Sequence, residues 1–214
     1  MSKLNYLIMS VNTMERPMPV DKEVAWDKTR VIMSKTDKFG TIEYVNEVFS
    51  DVSGYEDYEL MAQPHNIIRH PDMPKVIFKV LWDNLKKGNN FHAIVKNMSK
   101  SGRYYWVITD FDIAKNEEGE IVHYFARRKA VPDEVIMNHV QPLYKKLLQI
   151  EEVSGLDAAE KYLIGFLEEK EKSYVDYILD IMRQQKEKEF VKPVIPVEEE
   201  EEEKRSFFSR FFGR

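Results

Sequence analysis

One stretch gathers side chains able to grip a ligand: Gln63-Pro64-His65-Asn66-Ile67-Ile68-Arg69-His70-Pro71-Asp72-Met73-Pro74. Arg69 offers a planar fork of donors, His70 a ring nitrogen that donates or accepts, and Asp72 an acceptor. Pro64, Pro71 and Pro74 fix φ at their own positions and steer the residues before them to extended conformations. Polar groups held in a constrained segment just ahead of a helix suit a polar, planar ligand. The competing reading is a surface loop in which the prolines and Asp72 only cap the helix that follows. Nothing elsewhere groups into an acid–base pair, an activated nucleophile or a metal cluster, so the chain is expected not to be an enzyme. It has no cysteine, which removes disulfides, thiolate metal sites and cysteine nucleophiles together.

The elements that must position this stretch follow from periodicity. Residues 30–35 read as a strand with Val31 and Met33 on one face, Asp37-Lys38-Phe39-Gly40 as a turn, and residues 41–45 as the return strand, with Ile42 and Tyr44 alternating with polar residues. Asn46 stands where an N-cap belongs, ahead of a short helix holding Val48, Phe49 and Val52 and closed by Gly54. Residues 55–60 form a turn or a further short helix. Over residues 74–87 the apolar Ile77, Val80, Leu81 and Leu85 keep helical spacing. Asp72 at the start of that helix suits its dipole, and Gly88 stops it. Trp82 flanks the stripe and either faces a cavity or roofs the core. Residues 91–97, 104–113 and 121–129 read as three strands joined by turns at Ser99-Lys100-Ser101-Gly102 and Asn116-Glu117-Glu118-Gly119, an antiparallel meander. The predicted architecture is α+β: a five-stranded antiparallel sheet with helices on one face, followed by a helical C-terminal extension.

Four regions are expected: an N-terminal arm (1–28), the central domain (29–131), the helical extension (132–190), and a linker, acidic run and Phe/Arg-rich tail (191–214). In the arm, Leu4 and Tyr6-Leu7-Ile8-Met9 are apolar and either pack on the domain or a partner or fray. In the extension, Val135, Ile136, Val140, Leu143, Tyr144 and Leu147 keep helical spacing, and Pro142 either kinks the helix or begins a new segment. A long helix is expected over 156–190, its stripe interrupted at 168–172 into two short seams. An αα-hairpin docking on itself or on a dimer mate would fit that pattern. In the tail, Phe207, Phe208, Phe211 and Phe212 share one side of any helix formed there, among Lys204, Arg205, Arg210 and Arg214. Aromatic and cationic residues together suit a peripheral membrane contact or a partner, with a bystander tail as the alternative. The net charge of −5 is mixed in sign and leaves no basic face, so no nucleic acid is expected. No apolar run reaches membrane-spanning length and no leader pattern is evident. The expected location is cytoplasmic, peripheral at the inner face of the membrane where the tail binds.

Several further blocks recur in a familiar order. Ser53-Gly54-Tyr55, Gln63-Pro64-His65-Asn66, Arg69-His70-Pro71-Asp72-Met73-Pro74, Leu85-Lys86-Lys87-Gly88, Ile94-Val95-Lys96-Asn97 and Tyr105-Trp106-Val107 together resemble the PAS domain of bacterial aerotaxis receptors. The likeness covers about residues 30–135 and continues into Gln141-Pro142-Leu143-Tyr144-Lys145. It implies a PAS fold over 29–131, a non-covalently held FAD that reports redox state, and output through a chemotaxis receptor. The flavin residues it implies are Arg69, His70 and Asp72, with Trp82 and Asn97 matching positions that line related flavin pockets and Asn46 carried over after the second strand. The chemistry is sensible: Arg69 and His70 can meet phosphate or ring carbonyls, Trp82 can stack on a planar ring, and Asn97 offers a donor and an acceptor to a flavin edge. Asp72 and Asn46 equally suit helix capping.

The departures from that family shape the remaining expectations. Aerotaxis receptors carry a membrane anchor, a HAMP segment and a signalling coiled coil, none of which is found in this sequence. The chain is therefore expected to act as the soluble PAS sensor of a bipartite energy-taxis system. Its expected partners are a separate membrane-bound chemotaxis-type receptor and a second copy of itself. Without cysteine, the thiol adduct of light-sensing flavin PAS domains is excluded, leaving redox chemistry of the flavin. The alternatives are a PAS interaction or dimerisation module without flavin, and a haem-binding PAS sensor with His65, His70 or His92 as axial ligand.

Overall fold

The computed structural model describes residues 16–191. The apolar residues of the arm (Leu4, Tyr6, Leu7, Ile8, Met9) and the phenylalanines of the tail, with the contacts expected of them, lie outside the described residues. Five strands, β1 (Ile32–Asp37), β2 (Ile42–Val45), β3 (Ala93–Met98), β4 (Tyr104–Lys115) and β5 (Ile121–Ala130), form one antiparallel sheet in the order β2-β1-β5-β4-β3. The last strand, β5, therefore lies at the centre, and the first strand is interior, paired with β2 on one side and with β5 on the other. Three helices follow β2: α1 (Glu47–Ser53), α2 (Asp57–Leu60) and α3 (Lys75–Leu85), with a 3-10 turn at His65–Ile68 before α3. The five-stranded α+β layer is the predicted one.

Local chemistry explains the helix ends. Asn46 caps α1: its Oδ1 accepts from Phe49 N at 3.1 Å and Met33 N at 2.9 Å, while its Nδ2 donates to the Val31 carbonyl at 2.9 Å. One amide side chain thus ties the helix start to β1. Gly54 closes α1 at φ 69°, a left-handed conformation that costs glycine little. The start of α3 departs from expectation. Pro74 offers no capping side chain, and Asp72 does not cap the helix either. The carboxylate of Glu151, far along the chain, accepts from Lys75 N at 3.0 Å and Val76 N at 2.8 Å.

Two strand faces also need correction. The core face of β1 is Ile32, Ser34 and Thr36, while Met33 points outward. In β2, Ile42 and Val45 are both buried and Tyr44 is half-exposed. A register shift between Lys35 and Thr36 breaks the strict alternation and lets residues three apart face the same side.

The extension begins with α4 (Asp133–Val135), widens into one π turn (Ile136–Val140) and continues as α5 (Gln141–Ser154). Pro142 sits in the first turn of α5, where its missing N–H is tolerated, and the π turn lies directly before it. The single helix expected over 156–190 is two helices, α6 (Leu156–Glu169) and α7 (Tyr174–Val191). Lys172 N and Glu171 N fold back on the carbonyls of Leu167 and Glu168, with Glu171 at φ 53°. That pattern ends α6 in a Schellman motif without glycine. Ser173 then opens α7, its Oγ accepting from Asp176 N at 3.1 Å. These helices dock on their own chain. Tyr174 stacks on Phe91 with ring centroids 5.3 Å apart, and Tyr144 lies against Trp106. This cover explains why all six residues of the edge strand β3 are buried. The described part of the arm also packs at home, bonding through Val20, Lys22 and Val24 to the backbone of Gly102 and Tyr104.

Candidate functional site

The core face of the sheet and α3 enclose a cavity of about 210 Å³. Helix α3 supplies an apolar wall of Phe78, Leu81 and Trp82, and β3 supplies Val95 and Asn97. Trp82 meets Tyr124 edge to face at 5.6 Å. The turn at Gly40 seats against the indole: a Cβ there would lie 3.2 Å from the Trp82 ring, and φ is 86°. The positive φ favours glycine, and the close indole would have to give by a few tenths of an ångström for any side chain. Phe39 and Asn66 line the cavity and are exposed, so it opens at this end, where Arg16 donates to the Asn66 carbonyl at 2.9 Å.

The polar lining is unusual in being incompletely bonded. Arg69 Nε, Asn97 Nδ2 and Thr109 Oγ1 are buried without a hydrogen-bond partner, and all three residues border the cavity. Buried polar atoms are rarely left unpaired, since each loses about 1–3 kcal/mol of hydration without return. The guanidinium of Arg69 lies over Phe78, its Cζ 3.8 Å from the ring centroid. Deeper in, Arg128 is 4% exposed and donates to Ser34 Oγ at 3.0 Å and to His65 Nε2 at 2.9 Å. A guanidinium only donates, so His65 Nε2 must be an acceptor and the ring must be neutral with its proton on Nδ1. Burial and the charge of Arg128 both push the His65 pKa down, which agrees. Burial lowers Arg128 to about 10, and among the described residues no carboxylate pairs with Arg128 or Arg69.

The six residues singled out from the sequence fall into two groups. Arg69, Trp82 and Asn97 come together around the cavity; His70, Asp72 and Asn46 do not line it. His70 is 3% exposed, its Nδ1 accepting from Asp72 N at 3.1 Å and its ring edge-on to Tyr104. Burial, reinforced by the charge of Lys96, lowers its pKa to about 4. Asp72 pairs with Lys96 Nζ at 2.6 Å on the outer side of β3. The backbone of Arg69 forms an antiparallel bridge with Asn97, and Met73 Sδ accepts from Lys96 N. His70, Asp72 and Lys96 thus lay the central segment along the edge of β3, which brings Arg69 and Asn97 to the same cavity. Asn46 is fully used in joining α1 to β1. Of the three histidines considered as haem ligands only His65 borders the cavity, while His92 pairs with Asp110.

Sequence reading missed Ser34, Thr109 and Arg128. The available signal was positional: Arg128 shares a strand face with Ala126 and Ala130, and Thr109 with Val107 and Phe111. A polar residue on an apolar strand face is either bonded to something or waiting for it.

Residues 42–126 match the family described as the PAS fold. The chain is 46% identical to the aerotaxis receptor of Escherichia coli (strain K12) over 116 residues, which are 54% of this chain and 22% of the receptor. It is 26% identical to the nitrogen fixation regulatory protein of Klebsiella pneumoniae over 105 residues, 49% of this chain and 21% of that one. The solved PAS domain of the fruit-fly ELK potassium channel is 21% identical, with a TM-score of 0.44, over 49% of this chain and 89% of that one. The chain spans about a fifth of the length of the curated relatives it matches. Among the described residues no helix is long and apolar enough to cross a membrane.

Proposed function

Since residues 42–126 are a PAS domain similar to that of the aerotaxis receptor, we propose that the protein is a redox sensor that holds FAD non-covalently in the cavity under Trp82. On this reading it signals to a membrane-bound chemotaxis-type receptor. The observation that carries the reading is the set of unpaired buried groups, Arg69 Nε, Asn97 Nδ2 and Thr109 Oγ1, facing one cavity with an aromatic wall. A flavin edge presents donors and acceptors in one plane and would satisfy such a set, with Trp82 and Phe78 against its apolar part. When bound, the flavin supplies electron-transfer chemistry that the amino acids here lack. Asn97 would hold a donor or an acceptor at the ring edge, and its amide can turn to suit either protonation state. Arg69 and Arg128, cations without carboxylates beside them, favour negative charge on the occupant. Output to a receptor and self-association rest on the likeness to the aerotaxis receptor and on the docked helices of the extension.

The test is an absorption spectrum of the purified protein, with released cofactor identified by chromatography. Flavin bands in the natural protein and their loss in Arg69→Ala, with circular dichroism unchanged, are the expected results. A colourless, folded protein that refuses added FAD would leave the flavin-free interaction module standing instead.

The ion pair of Asp72 and Lys96 gives a second expectation. Lys96→Met should weaken FAD binding about 10-fold by letting the central segment drift from β3, even though Lys96 is not in the cavity wall. Asp72→Asn should cost the same, and the double variant no more than either single one, because both break one pair. Equilibrium titrations decide it: additive losses would mean that Asp72 acts on the ligand separately.

A further inference from the structure

Two of the elements that wall the cavity, α3 and β3, are both held from outside by the C-terminal extension. Glu151 of α5 uses both carboxylate oxygens on the first two amides of α3. One turn further on, Lys79 of α3 pairs with Glu160 of α6 at 2.6 Å. On β3, the Ile94 carbonyl, which points to the strand's free edge, accepts from the Tyr144 hydroxyl at 2.5 Å. Tyr144 is in turn bonded to the Tyr174 hydroxyl of α7 at 2.6 Å, and both tyrosines are buried. Because Tyr144 donates its proton to Ile94, Tyr174 must be the donor between the two hydroxyls. Phe78, Leu81 and Trp82 lie on the helix that Glu151 caps, and Val95 and Asn97 follow Ile94 on the strand that Tyr144 holds. These attachments are polar and directional, and each has a substitute in water once the helices part. They sit beside an apolar seam, with Tyr174 on Phe91 and Leu147 and Leu163 in the shared core, whose exposure sets the cost of that parting.

We propose that the C-terminal helices are a clamp on the cavity: docked, they fix α3 and β3 in the arrangement that binds ligand well, and undocked they release both. Ligand binding and helix docking are then coupled, and by linkage the coupling is reciprocal. A receptor that draws α5–α7 away from the domain lowers ligand affinity by the same factor by which the ligand opposes the receptor. The identity of the ligand rests on the flavin reading; the clamp itself does not.

The experiment compares the full chain with Tyr144→Phe, Glu151→Ala and the pair, by hydrogen exchange and by FAD titration. The natural protein should show slower exchange in residues 75–85 and 141–191 when FAD is added. The pair should show faster exchange in residues 141–191 and, with them, along α3, and its FAD affinity should fall at least about fivefold. Helices that loosen while α3 exchange and FAD affinity stay natural would overturn the clamp, as would helices that do not loosen. If no form takes FAD, the flavin reading fails by itself, and α3 exchange in the variants still decides the clamp. Should the pair fail to fold, Tyr144→Phe alone gives the same readings, since it keeps the packed ring and removes only the hydroxyl.

Discussion

Arg128→Met is expected to stabilise the ligand-free protein and, in the same molecule, to remove most of its affinity for FAD. Arg128 is almost wholly buried and its hydrogen-bond partners, Ser34 and His65, are neutral. Taking a guanidinium from water without a counter-ion costs several kcal/mol, and two neutral acceptors return only part of that. Burial has already drawn its pKa down to about 10, which reports the same penalty. Methionine has similar length, no charge and enough flexibility to fill the space. Ser34 and His65 lose a partner but lie 3.3 Å from one another and border the open cavity. Calorimetry without FAD should therefore show a Tm higher by a few degrees. Titration should show affinity lower by roughly 100-fold, about 2.7 kcal/mol, as one charged hydrogen-bonding group is lost to the ligand. A lower Tm with unchanged affinity would make Arg128 a strut of the sheet and remove it from the site.

The opposite pull of stability and binding at Arg128 also explains why it escaped a reading of the sequence. Local rules identified what local chemistry determines. Asn46 before an apolar helical run is a cap, Gly54 after it is a stop, and the alternating runs from Ala93 onward are strands; the structure has all of these. The proline-bounded segment at Arg69 was conspicuous because its polar groups are consecutive. Arg128, Ser34 and Thr109 come from three strands, and only the sheet order β2-β1-β5-β4-β3 sets them round one space. Nothing local specifies that order, because β1 pairs with a strand some 90 residues away. Asp72 shows the same limit from the other side. Its position before α3 suits a cap, but Lys96 on β3 takes the carboxylate, and Glu151 brings its own from the extension. The break between α6 and α7 was legible in part: charges at 168–172 interrupt the apolar stripe. The turn itself requires Glu171 at positive φ, which its residue type does not announce.

Acid should destabilise the protein well before its carboxylates titrate. The His70 pKa is about 4 in the folded chain against 6.5 as a free side chain, lowered by burial and by the charge of Lys96, with Asp72 and Asp21 opposing. His65 moves in the same direction, through burial and Arg128. A group with a depressed folded pKa leaves stability untouched above its unfolded pKa, because neither state holds the proton there. Below pH 6.5 the unfolded chain binds a proton that the folded chain refuses, and stability is lost continuously down to the folded pKa. For His70 alone the loss on reaching pH 4 is on the order of 2–3 kcal/mol, a large share of a typical domain's stability. Urea midpoints should be level from pH 8 to 7 and fall between pH 6.5 and 5. In that window Asp37 and Asp110, whose pKa values are themselves lowered, remain ionised. His70→Gln should flatten the fall, and a variant that keeps the full slope would remove His70 as its source. His65 adds a consequence for binding. Its protonation places a cation beside Arg128 and takes away the acceptor at Nε2, so the Ser34–His65–Arg128 wall must rearrange. In the folded chain that protonation comes only well below pH 6.5, so FAD affinity should hold through the window in which stability falls and drop at lower pH; His65→Gln, which keeps an acceptor and cannot titrate, should remove that drop.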